Sequence, residues 1–413
     1  MQTNLADFIK DTPDGREADE ILRKCVHCGF CTATCPTYQI LGDELDGPRG
    51  RIYLIKQALE GQPVTNKTQL HLDRCLTCRS CETTCPSGVH YSRLLDIGRR
   101  VVDSKVRRSP ADTVARLALR KVVTSPLIFE AAVHAGQMMR PLLPKAIARK
   151  VPPDARAASP RPQALHERRM LVLEGCVQPT LSPATNAAAA RVLDKLGVSL
   201  LSPRRAGCCG AVSFHLGAED EARDFMRRNI DAWWPHIEAG AEAIIVTASG
   251  CGTMVKDYAH NLAGDPAYAE KAARVCELMK DISQVVAAER EKLMSLIPQP
   301  SSRGSRKVAF HPPCSLQHGL RIRGQIEGLL LALGVDLVTV RDAHLCCGSA
   351  GTYSVLHPDL AGRLRENKIE ALTEGQPQEI VTANIGCQTH LQGATDKPVR
   401  HWIELVDDLL TGG

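Results

Sequence analysis

From residue 170 onward, short apolar runs alternate with longer segments that have the periodicity of helices. The runs read MLVL, VSLL and AIIV, and then VAF, VDLVTV and EIVTA. Between them lie segments such as NAAAARVLDKLG, QIEGLLLALG and AGRLRENKIEALTEG, which have apolar positions at helical spacing. Because strands and helices alternate, the pattern predicts parallel α/β sheets in this part of the chain.

The first part of the chain has a helical pattern instead. In GPRGRIYLIKQALEGQP at 47–63, Ile52, Ile55 and Leu59 follow helical spacing, and a glycine and a proline then end the pattern. The segment LLDIGRRVVDSKVRR also reads as a helix. We therefore expect a largely helical N-terminal domain.

The α/β part is an internal repeat marked by cysteines. In both copies, 31 residues separate the first cysteine from an adjacent pair, and 41 or 39 residues separate that pair from the last cysteine. Each cysteine follows a predicted strand, and parallel sheets bind ligands at the carboxyl ends of their strands. The sequence thus predicts four cysteines converging at one sheet edge in each copy: Cys176, Cys208, Cys209 and Cys251, then Cys314, Cys346, Cys347 and Cys387.

The N-terminal part contains the motif CVHCGFCTATCP at 25–36 and its twin CLTCRSCETTCP at 75–86. This cysteine spacing, closed by a proline, holds [4Fe–4S] clusters in bacterial ferredoxins, where the fourth cysteine ligates the other cluster. A pair of zinc sites is the alternative, although zinc motifs are usually paired C-x-x-C knuckles. Crossed ligation assigns one cluster to Cys25, Cys28, Cys31 and Cys85 and a second to Cys75, Cys78, Cys81 and Cys35.

Composition and charge indicate a large redox protein rather than a disulfide scaffold. The chain has 413 residues with 17 cysteines, and its first twenty residues lack the features of a secretory signal. We therefore expect a cytoplasmic protein, and no run of apolar residues is long enough to predict a transmembrane helix. The net charge is +5, yet residues 93–169 hold 17 Lys and Arg against 6 Asp and Glu. Such a basic block suggests a surface for an acidic partner or for anionic lipid on the inner face of the membrane.

Several stretches together resemble the iron–sulfur subunits of glycolate oxidases. They are VHCGFCTATCPTY, LDGPRGRIYLIKQ, LDRCLTCRSCETTCPSGV, AGCCGAV, HLCCGSAGTY, TANIGCQTHL and VRHWIEL, and they span essentially the whole chain. The wider group has two ferredoxin motifs followed by two cysteine-rich CCG domains. It includes subunits of lactate-oxidising systems, anaerobic glycerol-3-phosphate dehydrogenases and heterodisulfide reductases.

This sequence departs from the heterodisulfide reductases at the end of each repeat. Their repeat ends in C-x-x-C and its five cysteines can hold unusual clusters, whereas here the last position is Met254 in copy one and His390 in copy two. The resemblance therefore leaves two expectations open for the four remaining cysteines of each copy. They hold a further cluster or metal, or they are a family relic packed as small buried hydrophobic residues.

The resemblance implies an electron-transfer subunit without a catalytic residue of its own. Oxidation of a 2-hydroxy acid suits a flavin, so FAD is expected on a partner flavoprotein that converts glycolate, and D-lactate as a further candidate substrate, to the oxo acid. Two clusters on this chain would pass electrons to a quinone or another acceptor. The alternatives are the same role in a lactate or glycerol-3-phosphate dehydrogenase complex, a thiol–disulfide redox protein, and a zinc-stabilised scaffold. No nucleotide-binding signature is present, and no contact with nucleic acid is expected.

The expected fold is therefore α+β with several domains. The predicted domains are a two-cluster ferredoxin-like domain at 1–92, a basic helical connector and linker at 93–169, and cysteine-rich CCG domains at 170–300 and 301–413. The connector includes an amphipathic stretch at 125–150 that is broken by two prolines.

Overall fold

A computed structural model describes residues 1–142, 151, 152, 154–297 and 306–412. The end of the amphipathic stretch and the predicted boundary after residue 300 therefore lie outside the described residues. The chain packs as two compact units, of which one comprises residues 1–117 and 344–368 and the other residues 118–343 and 369–413. The domain boundaries at 92, 169 and 300 stay predictions.

Helices account for most of the regular structure. In chain order the α-helices are α1 Pro13–Lys24, α2 Phe30–Ala33, α3 Pro36–Leu41, α4 Pro48–Leu59, α5 Asn66–Asp73, α6 Ser80–Thr84, α7 Tyr91–Lys105, α8 Pro110–Val123, α9 Pro126–Met139, α10 Gln178–Leu181, α11 Pro183–Lys195, α12 Ala211–His215, α13 Glu219–Glu238, α14 Ser249–Lys256, α15 Tyr258–Asn261, α16 Ala269–Leu278, α17 Ile282–Ala288, α18 Arg290–Leu296, α19 Gln325–Ala332, α20 Tyr353–Leu356, α21 Pro358–Thr373, α22 Ile385–Gln392 and α23 Trp402–Thr411. Short 3₁₀ turns occupy Glu44–Asp46 and Arg140–Leu142, and a π-helical turn occupies Ser315–Gly319.

The first unit is helical, as the periodicity predicts. The apolar stripe of α4 is buried, with Ile52, Ile55 and Leu59 at most 3% exposed. The helix α7 packs across α4, and Gly98 of α7 lies directly against the side chain of Ile55. These helices build one hydrophobic core that also includes cysteines of both N-terminal motifs.

The second unit contains two four-stranded sheets with the same topology. The strands are β1 Arg168–Val172, β2 Val198–Leu201, β3 Ile244–Val246, β4 Met279–Asp281, β5 Lys307–His311, β6 Asp336–Leu337, β7 Glu379–Thr382 and β8 Val399–His401. Their order is β2-β1-β3-β4 in one sheet and β6-β5-β7-β8 in the other, and every pairing is parallel. The parallel α/β prediction is confirmed for both copies of the repeat.

Two details of the sheets differ from the sequence pattern. Each sheet has a fourth strand, β4 or β8, that we did not predict because the segments MKD and VRH are short and lack an apolar run. In copy two, the predicted strand VDLVTV is a strand only at Asp336 and Leu337. These short segments form strands because a neighbouring strand supplies hydrogen bonds, which local propensity does not encode.

The two copies share one hydrophobic core. Residues from β1 and β3 of copy one and from β5 and β7 of copy two belong to the same buried cluster. The helix α11 of copy one packs against α23 of copy two, where the Thr185 hydroxyl donates to the buried Glu404 carboxylate at 2.8 Å. Arg191 also pairs with Asp407 across these helices. The two copies of the repeat therefore form one packed structure rather than two independent domains.

Replacing Gly98 by alanine tests the contact between α4 and α7. A Cβ atom at residue 98 would lie 2.5 Å from Cγ1 of Ile55, so the helices would have to separate. We expect Gly98→Ala to destabilise the first unit by about 1–3 kcal/mol in chemical denaturation. Gly362 of α21 is the matched control, since a Cβ there would meet no atom within 4 Å. Gly362→Ala should be neutral or stabilising, and equal behaviour of the two variants would contradict this account.

Candidate metal centres

In each N-terminal motif, the first two cysteines lie on a loop, and the two loops have left-handed residues at equivalent positions. His27 and Gly29 in the first loop have φ values of 57° and 86°, and Thr77 and Arg79 at the equivalent positions have 54° and 59°. Left-handed conformations at non-glycine residues are uncommon and are retained where the surroundings require them. The repeated conformation indicates that both loops are shaped for the same task.

The fourth cysteine of each motif lies where the chain turns away from its own loop. The third cysteine of each motif is the second residue of a short helix, α2 or α6, and these two helices pack against each other. Cys35 then caps the helix α3, of which Pro36 is the first residue, and Pro86 likewise follows Cys85. Because proline fixes the backbone at this point, the fourth thiol leaves its own loop.

The first group of thiols consists of Cys25, Cys28, Cys31 and Cys85. These four cysteines line one pocket of about 440 Å³. Burial, together with the neighbouring Cys25, Cys85 and Cys28, raises the pKa of the Cys31 thiol to about 11. The fourth cysteine of the second motif therefore lies with the first three cysteines of the first motif.

The second group consists of Cys75, Cys78, Cys81 and Cys35. Burial raises the pKa of Cys81 well above its usual value, and the nearby thiols of Cys78, Cys75 and Cys35 raise it further. Cys35, Cys75 and Cys81 are each less than a tenth exposed, whereas Cys28 of the first group is exposed. The second group is thus the more deeply buried one.

Both groups have the donor chemistry of an iron–sulfur cluster. Burial and mutual repulsion both disfavour four thiolates at one place, and the raised pKa values of Cys31 and Cys81 express both effects. A bound cationic metal removes this cost because thiolates are its ligands. Cys81 of the second group also lines the pocket of the first group, so the two sites are adjacent.

A third group of thiols lies at the carboxyl edge of the copy-one sheet. Cys208 accepts hydrogen bonds from the thiols of Cys176 and Cys209 and from the Gly210 N–H, and these bonds hold its pKa well below the usual value. The same bonds, together with burial, raise the pKa of Cys176 and of Cys209, which also interacts with Cys251. The four cysteines predicted to converge in copy one are therefore together at this edge.

Two side chains that the sequence analysis missed hold the adjacent cysteine pair of copy one. Asn229 donates to the Cys208 carbonyl at 2.9 Å and accepts from the Gly207 N–H at 2.9 Å. The Tyr258 hydroxyl donates to the Cys209 carbonyl at 2.9 Å. Asn229 is a polar residue on the buried face of α13, and this position was the only signal in the sequence.

The residue after each adjacent cysteine pair is a glycine in a left-handed conformation. Gly210 has a φ of 90°, and its N–H lies 3.5 Å from Cys208 Sγ. Gly348 has a φ of 89°, and its N–H lies 3.4 Å from Cys346 Sγ. Glycine adopts this left-handed conformation without strain, and a Cβ would lie 3.0 Å from the Ala222 carbonyl oxygen at Gly210 and 2.8 Å from that of Ala361 at Gly348.

The copy-two cysteines are divided between the two units. Cys314 and Cys387 belong to the second unit, in which a ring nitrogen of His311 lies within 4.8 Å of Cys387 Sγ. Cys346 and Cys347, both buried, belong to the first unit. The predicted convergence of all four in copy two stays a prediction. Met254, at the position of the missing fifth cysteine in copy one, is buried in the copy-one core.

Comparison with known proteins agrees with this arrangement. The model of a 4Fe-4S dicluster domain matches residues 21–89, and the model of a cysteine-rich domain matches residues 170–256 and 308–392. The glycolate oxidase iron-sulfur subunit of Escherichia coli is 57% identical over 410 residues, which cover 99% of both chains. The chain belongs to the glycolate oxidase iron–sulfur subunit family.

More distant relatives share the same plan. A probable glycolate oxidase iron-sulfur subunit of Bacillus subtilis is 30% identical over 89% of this chain and 87% of its own. A subunit of the fumarate reductase (CoM/CoB) of Methanothermobacter marburgensis is 24% identical over 98% of this chain and 76% of its own. All eight N-terminal cysteines lie within the matched dicluster domain, and all eight repeat cysteines lie within the matched cysteine-rich domains.

Exchanging single fourth cysteines tests the crossed grouping. Cys35→Ser should damage the cluster held mainly by the second motif, and Cys85→Ser the cluster held mainly by the first, because each thiol lies with the other motif. Electron paramagnetic resonance of the reduced protein, with iron and acid-labile sulfide counting, measures which cluster is lost. Cys276→Ser is the control, since that thiol bonds to backbone carbonyls away from these groups. Loss of the cluster of its own motif in either variant would show the assignment to be wrong.

Proposed function

We propose that this chain is the electron-transfer subunit of a flavin-dependent glycolate oxidase, or dehydrogenase, with several subunits. A partner flavoprotein carries FAD and oxidises glycolate to glyoxylate, with D-lactate as a further candidate substrate. This chain passes the electrons to a quinone or another acceptor. Two adjacent groups of four thiols in one helical unit carry the proposal, and the 57% identity to a glycolate oxidase iron-sulfur subunit supports it.

Each N-terminal group is proposed to hold one [4Fe–4S] cluster. A flavin gives up two electrons, whereas an iron–sulfur cluster exchanges them singly. The first group has Cys28 at the surface beside Val26 and Phe30, which are 68% and 60% exposed. In the second group, Cys35, Cys75 and Cys81 are each less than a tenth exposed. The exposed group is therefore proposed as the side that meets a redox partner, and the buried group as the side shielded from water.

The copy-one thiols are proposed as a further site for a cluster or metal. The thiolate is the form that binds metal, and the hydrogen bonds to Cys208 favour that form. Asn229 and Tyr258 fix the backbone of the cysteine pair, so the thiols keep their places when a ligand binds. The copy-two cysteines are proposed for the same role.

The exposed helix α9 is proposed to bring the protein to an anionic lipid surface. Leu127, Ile128 and Met138 of this helix are between 50% and 79% exposed. Arg140 follows the helix directly, and three further basic residues follow in the sequence. Apolar residues next to basic ones suit the interface of an anionic membrane. Among the described residues, no helix is long and apolar enough to cross a membrane.

Metal content and electron transfer test the redox role. Two clusters require about eight irons per chain, a third in copy one brings the number to about twelve, and a fourth in copy two brings it to about sixteen. We expect anaerobically purified protein to contain acid-labile sulfide with more than eight irons, and Cys209→Ser to contain about four irons fewer. Reduced flavoprotein partner should still transfer electrons to the Cys209→Ser variant. Zinc without labile sulfide would refute the proposal, and complete loss of turnover in Cys209→Ser would favour thiol–disulfide chemistry instead.

Sedimentation with vesicles tests the lipid contact. The chain should bind vesicles of phosphatidylglycerol and not vesicles of phosphatidylcholine, and binding should weaken as salt screens the basic residues. Leu127→Glu should reduce binding at least about tenfold, since it removes apolar area and adds a negative charge. Leu331→Glu is the matched control, because Leu331 is also exposed, at 58%, on a different helix. No binding to either lipid, or equal loss in both variants, would overturn the lipid assignment and favour a protein partner for α9.

A further inference from the structure

A fully buried arginine lies beside the second group of thiols. Arg51 of α4 is 1% exposed, and its guanidinium donates to the His71 carbonyl at 2.7 Å and to the Thr37 hydroxyl at 3.1 Å. Thr37 Oγ1 in turn lies 3.3 Å from Cys35 Sγ. Arginine keeps its charge at any ordinary pH, so this position places a permanent cation in the core of the first unit.

Arg51 shares its carboxylate partner with a second arginine. That carboxylate, Asp46, lies 3.4 Å from the Arg51 guanidinium and is also fully buried. Asp46 also accepts from Arg74 at 2.8 Å and bonds to His71 at 3.0 Å. The carboxylate of Asp43 lies within 4.8 Å of the Asp46 carboxylate. Because Asp43 is exposed and Arg74 is 28% exposed, water screens both of them, and Arg51 is the fully buried cation of this cluster.

The buried charge of Arg51 lies beside the second group. Burial alone would lower the pKa of Arg51, but the neighbouring Cys75, Tyr91, Cys35 and Asp46 together outweigh it and raise that pKa. The arginine nearest the first group is Arg49, which is more than a third exposed and bonds with Glu44 through two nitrogens. Water and that carboxylate screen Arg49, so the two groups sit in different electrostatic surroundings.

A buried hydroxyl adds to the same difference. Tyr91 is 4% exposed, and in the described part of the chain its hydroxyl has no hydrogen-bond partner with good geometry. Burial, followed by the neighbouring Cys75, raises the pKa of Tyr91 well above its usual value, so the hydroxyl keeps its proton. A buried donor without a partner is unfavourable, and a thiolate at Cys75 would accept its hydrogen bond.

We propose that Arg51, supported by the Tyr91 hydroxyl, raises the reduction potential of the cluster at Cys35, Cys75, Cys78 and Cys81 above that of its neighbour. The inference rests on the proposed function, since it needs both N-terminal groups to hold clusters. Reduction adds one electron, which the reduced flavin of the partner gives up as it becomes oxidised, with no bond broken and no proton moved at the cluster. A nearby cation and hydrogen bonds to sulfur stabilise the added negative charge. The added electron therefore occupies the buried site in preference to the exposed one at equilibrium.

Redox titration followed by paramagnetic resonance tests the proposal. In the unmodified full-length chain, the signal that Cys35→Ser removes should have the higher potential. Arg51→Met should lower the ratio of reduced to oxidised cluster at that site at least about tenfold, a shift of about 59 mV for one electron. The other cluster, in the same molecule, should keep its potential. Arg51→Lys keeps the charge and should shift less than Arg51→Met.

Two further variants keep the test decisive. Tyr91→Phe removes a single oxygen and leaves the ring in place, so it carries the test if Arg51→Met does not retain its second cluster. Tyr91→Phe should lower the ratio of reduced to oxidised cluster at the second site by a few-fold. Arg49→Met should leave the second cluster unchanged and shift the first by less than about tenfold.

The outcomes separate this inference from the proposed function. Absence of iron and labile sulfide from the N-terminal groups would overturn the proposed function itself. If both clusters are present and neither Arg51→Met nor Tyr91→Phe changes the potential of the second one, only the present inference is overturned. A lower potential at the second site in the unmodified chain would overturn it as well.

Discussion

Holding four negatively charged sulfurs together inside a protein is the constraint on which this structure depends. Desolvation and mutual repulsion both oppose it, as the raised pKa values of the Cys31 and Cys81 thiols express. Two short motifs exchange their fourth cysteines, so neither group is complete without the other half of the domain. The helices α4 and α7 fix the distance between the halves, and the close contact at Gly98 makes that distance small.

The repeat also holds cysteine thiols close together, but by different contacts. In copy one, hydrogen bonds from two neighbouring thiols and from the Gly210 N–H lower the pKa of Cys208. Parallel strands bring the cysteine stations to one sheet edge, and the side chains of Asn229 and Tyr258 secure the backbone between them. The shared core of the two copies then stabilises both edges together.

The two N-terminal groups are alike in ligands and unlike in surroundings. Their loops share the same unusual backbone conformation, yet one group reaches the surface at Cys28 and the other lies beside Arg51. Duplication thus supplies two equivalent binding loops, and the packing around them makes the two sites different. In the proposed redox role, a difference of this kind would give a direction to electron transfer between the two sites.

The sequence alone determined the motifs, the parallel α/β repeat and the helices α4 and α7. Those features depend on local spacing, which a chain carries wherever it folds. Tertiary structure alone decided the strands β4 and β8, the shared core of the two copies and the support of Cys208 and Cys209 by Asn229 and Tyr258. It also decided the charge beside the second group. Arg51 lies on the buried face of α4, four positions before Ile55, so its helical spacing alone indicates that it is buried. Its partners, however, come from distant segments, because long-range packing brings Asp46, Arg74 and the thiols together.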